Sequence, residues 1–283
     1  FPHTGASSLA LLLIMQQSYC LLVAMVLLVV CSSSGVTALI SFTGQGSSLA
    51  APIYSSWAFD YQLVRDDVHI SYTSSSSGAG ITGITTNVNN FGASDNPLTT
   101  AQRTSFPDLI QFPTVSAAVV IAFNFPGLVN TTSGANLVLH RDVLARIYLG
   151  EIGYWNDTDL VSAQPDASVR ALLAASNEAI RVGARKESSG TTGIFTSCLS
   201  SFYSGWSQKF PSSFTIWTGS TANANVSARA SEANFNLVDQ NFGVAGFVEV
   251  TPYSLGYIAY PTIARETIFT LADMINKNGD RVS

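Results

Sequence analysis

The sequence predicts an α/β protein with mostly parallel sheets. Short apolar, β-branched runs alternate with stretches of helical spacing along most of its length. The strand–helix junctions are rich in Gly and Ser. The composition is that of a folded chain, with 47% hydrophobic and 11% charged residues among 283. That length suffices for one large domain or two modest lobes with real cores.

The first segment reads as a targeting sequence. Cys20 to Cys31 is an unbroken apolar run, too short to span a bilayer and of the length of a signal-peptide hydrophobic region. Val36-Thr37-Ala38 supplies a small-residue cleavage context, so residues 1–38 are expected to be a signal peptide and the remainder extracytoplasmic (periplasmic, cell-surface or secreted). No Lys or Arg precedes the run, and Met15 is an alternative start. Of three cysteines only Cys198 follows Ala38, which leaves no internal disulfide to form. Asn130-Thr131-Thr132, Asn156-Asp157-Thr158 and Asn225-Val226-Ser227 fit the N-glycosylation pattern.

The elements then follow in order. Leu39 to Phe42 is an expected strand, and Ala50 to Leu63 a helix with Ile53, Trp57 and Tyr61 on one face. Val68 to Tyr72 reads as a strand, Ile81 to Val88 as a helix and Phe91 to Ser94 as a short strand. Thr114 to Phe123 is a longer β-branched strand. Asp142 to Leu149 is a helix with Val143, Ile147 and Leu149 inward. Ala179 to Ala184 is a strand and Gly193 to Tyr203 a helix, and strands are expected at Gly246 to Val250 and Gly256 to Ala259.

Several function classes are disfavoured. The net charge of −5 lacks the basic field of a nucleic-acid binder. His3, His69 and His140 are scattered, and no metal-binding or nucleophile-elbow motif occurs. Gly44-x-Gly46 lacks the third Gly of a dinucleotide loop, and there is no Walker A lysine. No catalytic residue, metal or cofactor is therefore expected.

One pattern recurs three times: a strand, a Ser/Gly-rich loop, then a helix. The loops are Gly44-Gln45-Gly46-Ser47-Ser48, Ser74 to Gly80, and Arg185 to Gly193. A helix start leaves backbone N–H groups without intrahelical partners and carries partial positive charge. Gly lets backbone approach a ligand, and Ser or Thr adds a donor. The third loop adds Arg185, whose guanidinium can grip a tetrahedral oxyanion with two parallel bonds. Phe91-Gly92-Ala93-Ser94-Asp95 places a carboxylate at a strand end, where α/β ligands sit. An ionised Asp only accepts hydrogen bonds; phosphate near neutral pH still has a proton to donate, and sulfate has none.

At these residues the chain resembles the periplasmic phosphate-binding proteins of bacterial ABC phosphate transporters (the PstS family), from roughly Ser41 to Arg281. Gly44 to Pro52 resembles that family's first Gly-rich loop, Ser77-Gly78-Ala79-Gly80 its second, and Phe91 to Asp95 its acidic motif. Gln111-Phe112-Pro113 is similar to the crossing into the second lobe; Ile147-Tyr148-Leu149-Gly150 with Trp155-Asn156-Asp157 also recurs there. Arg185 with Ser189-Gly190-Thr191 resembles the main anion loop. The resemblance implies a type II, two-lobe periplasmic-binding-protein-like fold with the ligand cleft between lobes. It assigns 39–115 to lobe one, completed by 255–283, and 116–254 to lobe two. It implies inorganic phosphate as ligand, held by the hydroxyl and N–H of Ser48, the N–H of Leu49, Ser77, Asp95 as acceptor of the phosphate proton, Arg185, Ser189, Gly190 and Thr191. Glu187 would orient Arg185. A monomer that hands phosphate to a membrane permease is expected, with the sensing domain of a larger receptor as the alternative. The chain departs from the family where Ser48-Leu49-Ala50 replaces the usual Thr-Phe-Pro and where Glu187 replaces a common Asp. Family members also run several tens of residues past the point matching Arg281-Val282-Ser283, so a C-terminal return to lobe one is expected to be incomplete.

Overall fold

Gly and small residues after Ser41 let three strands approach closely in the computed structural model, which describes residues 25, 39–128, 135–220 and 222–283. The expected signal peptide and the sequon at Asn130 lie outside the described residues, except for residue 25. Strands β1 (Ile40–Gly46), β2 (Val68–Ser74) and β3 (Phe91–Ala93) form a sheet in the order β2-β1-β3. β1 and β3 run parallel, with Gly44 to Gly46 opposite Phe91 to Ala93. The Gly-x-Gly stretch, expected as loop, is thus the end of a strand. At Gly46 (φ +144°) a Cβ would lie 2.1 Å from the Ala93 carbonyl oxygen, so only Gly fits.

Helix α1 (Ala51–Val64) follows β1 and packs on β2. The face expected to carry Ile53, Trp57 and Tyr61 is exposed, and Ala51 and Ala58 are buried. Helix α2 (Ser77–Thr85) begins four residues before its expected start, because the Ser76 hydroxyl accepts the Ala79 N–H at 3.1 Å and caps it. The serine run is a cap rather than a long loop. Helix α3 (Thr100–Ser105), not foreseen, is closed by a reciprocal capping box between Thr99 and Gln102.

The larger sheet holds β4 (Val119–Asn124), β6 (Arg181–Arg185), β7 (Phe235–Val238), β8 (Ser254–Ala259) and β9 (Thr270–Leu271), in the order β7-β6-β8-β4-β9. β6 is parallel to β7 and β8, whereas β4 is antiparallel to β8 and β9. The expectation of mostly parallel sheets is corrected to a mixed one. β4 is also shorter than Thr114 to Phe123, because its ladder with β8 begins at the pair Val119–Ala259. A small third sheet joins β5 (Val138–Leu139), β10 (Asp273–Ile275) and β11 (Arg281–Val282). The expected return of 255–283 to lobe one is not what the strands do: β8 and β9 pair inside the five-stranded sheet and β10 pairs with β5.

Helices α4 (Arg141–Leu149), α5 (Thr158–Ser162), α6 (Ala167–Ala174), α7 (Gly190–Phe202), α8 (Trp206–Lys209) and α9 (Ala224–Ala230) contribute to one core. α4 buries Val143, Ile147 and Leu149 as its spacing predicts, and ends at Gly150 (φ +80°). Trp155, Trp206, Trp217, Tyr148 and Tyr257 are fully buried there. Helix α10 (Gln240–Val250) builds a second cluster, with Val244, Ala245 and Val248 against Ala122 and Ile258. The strand expected at Gly246 to Val250 is the last part of α10. Its β-branched residues follow a three-to-four-residue burial spacing, and tertiary packing overrides their strand propensity. Ser41–Ser283 form one compact unit.

Candidate functional site

The ends of β1 and β3 and the starts of α2 and α7 bring Ser47, Ser77, Gly190 and Thr191 together around Asp95. Ser47, just after β1, donates its hydroxyl to Asp95 Oδ1. Thr191, in the first turn of α7, donates to Asp95 Oδ2 at 3.1 Å. The Asp95 N–H donates to Ser77 Oγ, at the start of α2, at 3.1 Å. Gly190 is packed so tightly that a Cβ there would lie 2.5 Å from Ser77 Oγ and 2.6 Å from Asp95 Cβ. Ser48, Ser77, Ser189 and Thr191 are all buried.

Two helix starts face this cluster. In α7 the Ser189 hydroxyl caps the Thr192 N–H at 3.2 Å, and the N–H groups of Gly190 and Thr191 precede the first intrahelical acceptors. In α2 the Ser76 cap leaves the N–H groups of Ser77 and Gly78 in the same state. The dipoles of both helices favour an anion here.

Arg185 ends β6 and is 1% exposed. Its Nε donates to Glu187 Oε1 at 2.6 Å, and its Nη2 reaches the same oxygen. Nη1 is buried and has no hydrogen-bond partner. Glu187 therefore takes one edge of the guanidinium and leaves a buried donor on the other. The other carboxylate oxygen, Oε2, accepts the Gln240 N–H at 3.2 Å. Beneath the loop, the Tyr257 hydroxyl accepts from the Arg185 N–H at 3.1 Å and from Trp217 Nε1 at 3.2 Å. With both lone pairs engaged, its proton goes to Thr192 Oγ1, 2.7 Å away. Burial pushes the Tyr257 phenol above its ordinary pKa, which keeps that proton in place.

Of the expected residues, Ser77, Gly190 and Thr191 meet Asp95 directly, and Arg185 is joined to Gln240 through Glu187; one expected contact differs. The Leu49 N–H, expected to face a ligand, donates to Ser47 Oγ at 3.0 Å. Sequence reasoning missed Ser47, Gln240 and Asn241. Gln240 reaches Ser74, its Oε1 accepting from Ser74 Oγ at 3.2 Å, and Asn241 Nδ2 donates to Ser48 Oγ at 2.9 Å. A buried Asn at a helix start was the available signal, hidden by reading part of that helix as a strand. Among the described residues no cluster of His, Cys, Asp or Glu is arranged to hold a metal.

A family profile described as the PBP superfamily domain matches residues 32–282. The chain belongs to the PBP superfamily. Its curated relatives include the phosphate-binding proteins PstS of Methanocaldococcus jannaschii (31% identical, 79% of this chain and 54% of that protein) and Haemophilus influenzae (33%, 78% and 58%). This PBP-superfamily chain thus spans just over half the length of those relatives. It is also 29% identical, over 84% of its length and 13% of the other's, to a protein of Acanthamoeba polyphaga mimivirus named as a serine/threonine-protein kinase/receptor, R826. Its fold matches type II periplasmic phosphate-binding proteins. Examples are an ABC-type phosphate transport receptor from Vibrio cholerae (TM-score 0.51, 18% identity, 84% of this chain and 78% of that one) and the periplasmic phosphate-binding protein PfluDING, solved with phosphate bound (TM-score 0.57, 18% identity, 86% and 64%).

Proposed function

We propose that this chain binds inorganic phosphate without altering it, as an extracytoplasmic solute-binding protein that captures phosphate for uptake through a membrane permease. One observation carries the reading: a fully buried arginine, aimed by Glu187, keeps an unpartnered donor at the end of the strand whose loop leads into the helix start that meets Asp95. A cation, N–H dipoles and one acceptor suit an oxyanion that still carries a proton. Asp95 takes the phosphate proton, since each carboxylate oxygen has a second lone pair beyond its bond to Ser47 or Thr191. Arg185, Ser48, Ser77, Ser189, Gly190 and Thr191 supply the donors. Residues 39–115 form lobe one and residues from 116 onward lobe two, with the ligand between them.

A second reading is the phosphate-sensing domain of a larger receptor. It is favoured by the kinase/receptor relative, which aligns with most of this chain. A kinase-encoding segment in the same transcript selects that reading; an adjoining permease gene selects uptake. Calorimetric titration with phosphate and with sulfate tests the binding claim common to both. Phosphate is expected to bind and sulfate to bind far more weakly; equal affinities would contradict the role given to Asp95.

A further inference from the structure

We infer that Asn241 is a positioning residue of the anion site, fixing the Ser48 hydroxyl so that its proton faces the cleft. The inference rests on the phosphate-binding reading. Asn241 is fully buried, in the first turn of α10. The backbone N–H of Ala259 meets its side-chain oxygen Oδ1 at 3.1 Å. A backbone N–H can only donate, so this contact decides which end of the amide is the oxygen. Nδ2 is left facing Ser48 Oγ at 2.9 Å, and there it must be the donor.

The consequence falls on Ser48. Its oxygen accepts from Asn241, so its own proton cannot point that way. Ser48 is 1% exposed, and no acceptor among the described residues receives the proton. Ser47, one residue earlier, gives its proton to Asp95. The two adjacent serines therefore have opposite roles: Ser47 serves the carboxylate, and Ser48 presents a donor for an anion. A donor held this way needs no reorientation when the ligand arrives, and the Asn241 bond polarises it further.

The same helix start acts on the other main donor. Gln240 has a left-handed backbone (φ +60°), and its N–H holds Glu187 Oε2 while Glu187 Oε1 holds Arg185. A non-Gly residue keeps that conformation only where its surroundings fix it. Consecutive residues of α10 thus aim Arg185 through Glu187 and Ser48 through Asn241.

The test is a double-mutant cycle read by phosphate titration, with a melting curve of each variant in the absence of phosphate. Ser48→Ala removes one hydrogen bond to a charged ligand, expected to weaken phosphate about 10- to 150-fold. Asn241→Ala should weaken it in the same direction. Because Asn241 acts through Ser48, the double variant should lie within about twofold of Ser48→Ala alone. If the two losses multiply instead, Asn241 does not act through Ser48 and the inference is overturned. If Asn241→Ala shows no cooperative melting, Asn241→Asp carries the same cycle. It keeps the acceptor for the Ala259 N–H but replaces the donor facing Ser48. Its loss should shrink in the Ser48→Ala background, leaving only the effect of the added charge, and an undiminished loss overturns the inference. A wild-type chain that takes no phosphate overturns both this inference and the binding reading. A wild type that binds, with multiplying losses, overturns this inference alone.

Discussion

At the scale of single residues, discrimination rests on what Asp95 can and cannot do. Its oxygens already accept from Ser47 and Thr191, and its backbone N–H is held by Ser77, so the carboxylate is fixed before a ligand arrives. An acceptor-only group welcomes an oxyanion with a proton and repels one without. Asp95→Asn keeps the shape but adds a donor and removes the charge. The preference for phosphate over sulfate should fall by about 10- to 150-fold, the value of a hydrogen bond to a charged group, measured as the ratio of the two dissociation constants. An unchanged ratio would move specificity elsewhere. Asp95, Arg185 and Glu187 were legible in the sequence because each sits at the end of a recognisable strand. Asn241 was not, because its partner Ser48 lies 193 positions away and only the fold joins them.

At the scale of elements, the strand-to-helix junctions set how closely the two sides of the site can meet. Gly190 opens α7 directly against Ser77 and Asp95, with no room for a methyl group. Gly190→Ala should hold these elements apart. Overpacking of this kind costs about 1–3 kcal/mol, so phosphate should bind roughly 5- to 150-fold more weakly. The melting temperature without phosphate should change little, since the elements can separate to accommodate the methyl; a collapsed melt with intact affinity would contradict this. The amphipathic α4 was readable because its apolar spacing matches the face it buries. The end of α10 was not, because Gly246 to Val250 has strand-like residues whose burial, shared with Val244 and Ala245, follows helical spacing. On α1 the spacing marked a face without its environment: the face carrying Trp57 is exposed. Periodicity marks a face without saying which neighbour it meets.

At the scale of the whole molecule, the larger sheet carries the core and positions the arginine loop above Tyr257. Burial pushes the phenols of Tyr148 and Tyr257 above their ordinary pKa. In the unfolded chain they ionise at about 10. As pH rises past that value the unfolded state loses protons that the folded state retains, so stability is full below it and declines above it. Tyr148→Phe should flatten that alkaline decline at little cost near neutral pH, since the Tyr148 hydroxyl donates to the Gly183 carbonyl over a long 3.4 Å. An unaltered slope in pH-dependent melting would contradict the assignment. The central claim is that a buried arginine holds phosphate, and titration of wild type, Arg185→Lys and Arg185→Ala tests it most directly. Truncating a buried, hydrogen-bonded charge partner typically costs about 2–5 kcal/mol, roughly 30- to 5,000-fold in dissociation constant. Arg185→Lys should recover only part, because an ammonium lacks the planar fork that serves Glu187 and the ligand together. The account predicts that loss in Arg185→Ala with a nearly unchanged melt in the absence of phosphate; unchanged affinity with a collapsed melt would make Arg185 a structural partner of Glu187 and contradict it.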